Sequence, residues 1–132
     1  MPEGAATASA TEGERSTVKI KDVQARTDVP VISVDHRGYV TAINDKLREA
    51  YGWEAADLVG RPLSTIIPKV FHDTHHLGFS RFLTTGQSTI LEQPLQLKIV
   101  ARDGREQEAE HYIVAEEVDG AWAFAAMIRP LG

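Results

Sequence analysis

The sequence predicts an α+β domain: a five-stranded antiparallel sheet with short helices covering a ligand pocket on one face. Three observations carry this expectation. Two β-branched segments, residues 31–35 and 39–43, flank the turn His36-Arg37-Gly38. Several short helical segments follow, each stopped by Gly or Pro, and the longest covers residues 70–85. Three alternating segments then follow, residues 89–101, 106–116 and 121–128, joined by turns at Arg102-Asp103-Gly104 and Asp119-Gly120. Strand, strand, helices and three strands is an order that closes one antiparallel sheet around a helical insert.

Each element has its own local signal. Residues 1–16 are Ala, Thr, Glu, Gly and Ser without apolar period and read as a disordered tail. Residues 17–28 form a flanking segment in which Val18, Ile20 and Val23 suit a short helix or strand, and residues 29–132 form the domain. Gly38 supplies the awkward dihedral of the first hairpin. Asn44 is a good N-cap for a helix that presents Leu47, Ala50 and Tyr51 on one side and ends at Gly52. Residues 53–59 make a single helical turn closed by Gly60, and Leu63, Ile66 and Ile67 mark another that must stop before Pro68. The long helix ends at Gly86. Pro94 cannot donate to a sheet ladder, so the third strand breaks or bulges there.

Composition removes many functions. A chain of 132 residues with 42% hydrophobic and 25% charged residues fits one globular core. The absence of cysteine excludes disulfides, iron–sulfur clusters, thiolate zinc, a cysteine nucleophile and cysteinyl–flavin photochemistry. A net charge of -5 argues against a nucleic-acid partner. No apolar run reaches the roughly 18 residues of a membrane span, and the first residues lack a secretory apolar region, so a cytoplasmic protein is expected. No Ser/His/Asp arrangement or Gly-rich phosphate loop is legible, which points away from an enzyme.

The chemistry concentrates in histidines. At 100° per residue, Phe71, Phe79 and Phe82 lie within about 40° of His75, which centres the apolar stripe of the long helix. His72 falls at the border of that stripe, and His76 turns away, so this i, i+4 pair reads as a solvated face rather than a zinc clip. A buried neutral imidazole needs either a metal or a hydrogen-bond partner. His75 is therefore a ligand or a core histidine bonded to backbone. Alternation in residues 106–114 puts Gln107, Ala109, His111 and Ile113 on one face and Glu106, Glu108, Glu110 and Tyr112 on the other. The glutamate row belongs in solvent, so His111 points toward the pocket. Trp122 borders the pocket or serves sheet packing or a dimer contact.

Residues 31–35, Gly38, Val40, Asn44, Tyr51-Gly52-Trp53 and Leu58-Val59-Gly60-Arg61-Pro62 resemble the N-terminal half of a PAS domain. Arg102-Asp103-Gly104 and Phe124 through Arg129 resemble its C-terminal half. Residues 67–86 are similar to haem-binding oxygen-sensor PAS domains of nitrogen-fixation kinases and related phosphodiesterases. The resemblance implies a sensor of a diatomic gas (O2, CO or NO) or of redox state, built on haem b. It places His75 on the proximal iron ligand and Arg81 on a residue that pairs with a propionate. Gln93 falls where one such sensor offers a sixth ligand, and His111 and Ile113 fall on the distal side. With Phe79, the apolar walls would be Ile90, Leu91, Leu95 and Ile113; the family is apolar at position 111, so a role for His111 in ligating iron or hydrogen-bonding the gas rests on its inward-facing place in the strand. Leu95 departs from the family, which carries an oxygen-steadying arginine there. Pro130-Leu131-Gly132 stands where the family has an Asp-Ile-Thr-like junction, so output is expected through a partner or from a segment beyond this sequence. Two alternatives stay open: a cofactor-free module that dimerises or docks through its sheet, and a non-covalent flavin or other small-ligand sensor.

Overall fold

The structure, a computed structural model, describes residues 18–87 and 91–131. The expected tail and Ile90 lie outside the described residues. The two hairpin strands are β1 (Val31–Val34) and β2 (Val40–Ile43), and the last three are β3 (Leu95–Val100), β4 (Glu106–Val118) and β5 (Ala121–Pro130). They form one antiparallel sheet in the order β2-β1-β5-β4-β3. The last strand thus lies in the centre, with Ile32 opposite Ala126 on one side and Ile113 opposite Ala126 on the other.

Between the hairpin and β3 run α2 (Asp45–Tyr51), α3 (Ala55–Leu58), two 3-10 turns (Leu63–Ile66 and Lys69–Phe71) and α4 (His72–Thr85). Asn44 caps α2 as expected and does more besides. Its side-chain oxygen accepts from the Leu47 amide (3.0 Å) and from the Val31 amide (2.9 Å). Its side-chain nitrogen donates to the carbonyls of Val29 (2.8 Å) and Arg26 (3.2 Å). One side chain therefore ties the entry to β1 to the start of α2.

Three sequence expectations need correction. Residue 70 does not start the long helix: Pro68 lacks an amide hydrogen and accepts from the Phe71 amide (2.9 Å), which winds residues 69–71 as a 3-10 turn. β3 begins at Leu95 rather than at residue 89. Glu92 adopts φ 59 and donates its amide to the Ile113 carbonyl (2.9 Å), and Pro94 then blocks a further ladder bond. Helices also lie on both faces of the sheet. The flanking segment forms α1 (Ile20–Gln24), whose Ile20 and Val23 pack with Val31, Val114 and Ala125 on the outer face. Its first amide donates to Glu116 (3.1 Å), and Gln24 donates to the buried Ser33 hydroxyl (2.9 Å). The remaining outer face carries the expected glutamates, with Glu108 accepting from Gln96 (3.1 Å) and Glu110 pairing with Arg129.

The main core fills the inner face. Ile32, Val34, Leu47, Tyr51, Leu58, Ile66, Ile99, Ala109 and Ile128 form one buried cluster. Among the described residues, no helix is long and apolar enough to cross a membrane.

Candidate functional site

The helix α4 lies against the inner face of β5 and is held there by aromatic rings. Phe82 is its buried residue. Its ring meets Trp122 edge-on at 4.7 Å and Phe124 at 5.5 Å between centroids, both inner-face residues of β5. One turn earlier, Phe79 meets Phe124 at 5.3 Å. His75 stacks on Phe79 at 6.0 Å with 21° between ring planes, as i and i+4 residues of one helix face do. The apolar stripe centred on His75 is therefore real for Phe79 and Phe82. Phe71 departs from it: the 3-10 turn takes it off the α4 register and leaves it 50% exposed.

His75 is half-buried, and its Nδ1 is buried without a hydrogen-bond partner. An imidazole nitrogen withdrawn from water and left unpaired is costly unless something fills its coordination. Burial lowers the His75 pKa, and the neighbouring His76 and His72 lower it further. The neutral, ligating form of the ring is thus favoured. His72 differs: its Nε2 lies 2.8 Å from the Ile67 carbonyl, which fixes that ring to the backbone. His76 is exposed, with its ring centroid 5.9 Å from that of His75 and the planes at 67°.

The remaining expected residues separate into two groups. His111 lies on the inner face of β4, opposite Ile128 on one side and Leu95 on the other. Ile113 joins the main core beside it. Burial lowers the His111 pKa, partly opposed by its 3.3 Å contact with the Ala109 carbonyl. His111 pairs with Ile128, four residues along β5 from Phe124 and so about 13 Å from the row that receives the α4 rings. The second group sits at the margins. Arg81 is exposed on α4, and Leu91 is half-buried in the turn before β3. Gln93 lies in that same turn, exposed and outside the strand. Leu97, which the sequence did not single out, pairs with Ala109 on the inner face yet stays 44% exposed.

Both lowered histidines give stability a pH dependence in the ligand-free protein. Above the unfolded value near 6.5 neither state carries the charge. As pH falls below it, the unfolded chain takes up protons that the folded chain refuses, so stability falls. The limiting slope is about 1.4 kcal/mol per pH unit for each imidazole. Urea midpoints are expected to be level above about pH 7 and to fall from there toward pH 5, less steeply in His111→Leu. A midpoint that rises on acidification contradicts the burial of these rings.

Comparison with known proteins places this geometry. The chain is 29% identical over 102 residues to an uncharacterized protein of Azorhizobium caulinodans, a match covering 76% of this chain and 14% of that protein. Among solved structures, a PAS domain from Colwellia psychrerythraea superposes with a TM-score of 0.64 at 12% identity, covering 77% of this chain and 85% of that one. The PAS domain of the Cronobacter turicensis quorum-sensing receptor RpfR, in complex with C12:0, gives 0.59 at 14% identity, covering 82% and 98%. The family model described as the PAS fold matches residues 25–128, which takes in every helix from α2 to α4 and all of the sheet but the last two residues of β5, and the chain belongs to that family.

Proposed function

We propose that this PAS sensor domain holds haem b against α4, with His75 as the residue that would bind its iron, and acts as a non-enzymatic sensor of a diatomic gas or of redox state. The unpartnered, buried Nδ1 of His75 carries the reading. A lone imidazole does not hold a bare transition metal ion. A porphyrin brings its own ring of nitrogen ligands and asks the protein for one or two more. When bound, the group would supply a redox-active iron able to take a gas ligand.

The chain's own residues have separable tasks. His75 offers a neutral nitrogen, and Phe79 gives its ring a flat apolar neighbour. Arg81, exposed on the same helix, is available to a propionate at the solvent edge. Leu95, Leu97, His111 and Ile113 supply the sheet side. The distance along β5 between the aromatic row and His111 means that a ligand touching both must span about 13 Å. His111, on the inner face of β4, would serve as a hydrogen-bond donor to the bound ligand.

An absorption spectrum after mixing the protein with equimolar haem tests the reading. A Soret band in the wild type is expected, lost in His75→Ala and kept in His72→Ala and His76→Ala. No band in the wild type, or equal loss in all three variants, refutes it. The half-exposed Leu97 on the inner face favours a second reading, in which the domain takes a small apolar ligand, as the RpfR PAS domain is in complex with C12:0. Mass spectrometry of the material released on denaturing the purified protein separates the two. A partner or second copy docking on the outer face must displace α1 or meet the glutamate row.

A further inference from the structure

The β1–β2 turn reaches the candidate site from outside it. Asp35 clamps that turn by accepting from the Arg37 amide (2.9 Å) and the Tyr39 amide (3.0 Å) through one carboxylate oxygen. Gly38 follows with φ +84 and is buried. A Cβ at this position would lie 3.4 Å from Cε2 and 3.6 Å from Cζ of Phe79. The turn therefore packs directly on the ring that stacks on His75. Phe79 is held on a second side by Phe124 of β5. Turn, sheet and imidazole meet at this one side chain.

We propose that Phe79 is a positioning residue for His75, and that the side-chain-free turn at Gly38 sets where the Phe79 ring lies. The functional weight of this rests on His75 being the ligand-holding residue; the positioning itself is a property of the ligand-free fold. Interiors are close-packed, so a ring bounded on two sides passes a displacement on to its third neighbour. A side chain at position 38 directed at Phe79 presses on a half-buried ring that also touches Phe124 and His75, so the displacement is expected to reach the imidazole.

A matched pair of variants isolates this contact. Asn tolerates the left-handed region better than most residues, so Gly38→Asn keeps the backbone path while adding atoms toward Phe79. Gly60 has φ +89 and nothing within 4 Å of its would-be Cβ, so Gly60→Asn imposes the same backbone demand without the contact. The first readout is the imidazole resonances of His75 by NMR, in histidine-labelled protein without haem. Gly38→Asn is expected to shift them, and Gly60→Asn to leave them in place. Phe79→Leu is expected to shift them as well and to abolish the further effect of Gly38→Asn. The second readout is haem affinity, expected to fall about tenfold in Gly38→Asn and not in Gly60→Asn, the size of loss when a ligand's support is disturbed. Equal His75 shifts in the two glycine variants overturn the proposal. If Gly38→Asn does not fold, Phe79→Leu decides through the His75 side-chain rotamer populations from three-bond couplings, which loss of the ring current does not alter, and unchanged populations there overturn it. If the wild type takes up no haem, the haem reading fails and the NMR comparison still tests the positioning.

Discussion

Replacing Asn44 with alanine will cost about 3 kcal/mol of folding stability, an unusually large loss for a half-exposed residue. The cap on Leu47 accounts for about 1 kcal/mol of this. The rest comes from the Val31 amide, which loses its acceptor at the start of a buried strand, and from the carbonyls of Val29 and Arg26, which lose their donor. A buried backbone group left unpaired costs about 1–3 kcal/mol. Asn44→Asp provides the internal comparison: it keeps both accepted bonds and loses both donated ones, so it should fall between wild type and alanine. Urea denaturation of the three proteins measures this directly. An alanine variant within about 1 kcal/mol of wild type means that the four bonds are not made together.

Truncating Phe82 to alanine will release α4 while leaving the sheet folded. Phe82 is the helix's one fully buried residue, and its ring meets both Trp122 and Phe124. The opposite side of the helix gives little support, since Leu77 is 62% exposed. Removing a buried phenylalanine side chain costs about 3–5 kcal/mol. Here that loss falls on one helix, so amide exchange across residues 72–86 should speed up by roughly two to three orders of magnitude. The β4 and β5 amides should keep their protection. Uptake of any ligand by His75 should drop in parallel, because the imidazole is carried on the released element. Uniformly faster exchange across the sheet would show that α4 and the core unfold as one unit.

Much of the fold was legible because its signals are local. Asn44 before an apolar i, i+3, i+4 set, and Gly52 and Gly86 at helix ends, all act within one turn of chain. The structure has both glycines in the left-handed region, as C-caps. The alternation of glutamates with Ala109, His111 and Ile113 gave the faces of β4, since side chains on a strand repeat every two residues. What failed depends on distant or unusual geometry. A left-handed Glu92 is uncommon for a residue with a Cβ, so the late start of β3 had only Pro94 to announce it. Phe71 has the right spacing to sit on the His75 stripe, and only the 3-10 turn set by Pro68 takes it out of register. The side of the sheet that α1 covers is decided by Ser33 and Glu116, residues far apart in sequence whose polar bonds anchor it. At the site, His75 and its ring neighbours followed from helical spacing. The contact between Gly38 and Phe79 crosses 41 positions, and no periodicity reports it.

The central placement of β5 also governs how the domain can be made. Val31 pairs with Met127 and Val34 with Phe124, so the ladder between β1 and β5 closes loops of roughly 90 to 100 residues. Until β5 is available, the chain holds two separate hairpin edges, β1–β2 and the strand pair β3–β4, with nothing between them. Neither pair buries enough surface to persist alone. Topologies dominated by such distant pairings fold slowly, in milliseconds to seconds, and not in the microseconds of helical bundles. On a ribosome the first hairpin must therefore wait about 90 residues for its neighbour, which takes on the order of 5–20 s at ordinary elongation rates. During that interval the apolar edge of β1, Val31 to Val34, is an open invitation to pair with another nascent chain, and chaperone dependence of the yield should track the rate at which β5 emerges.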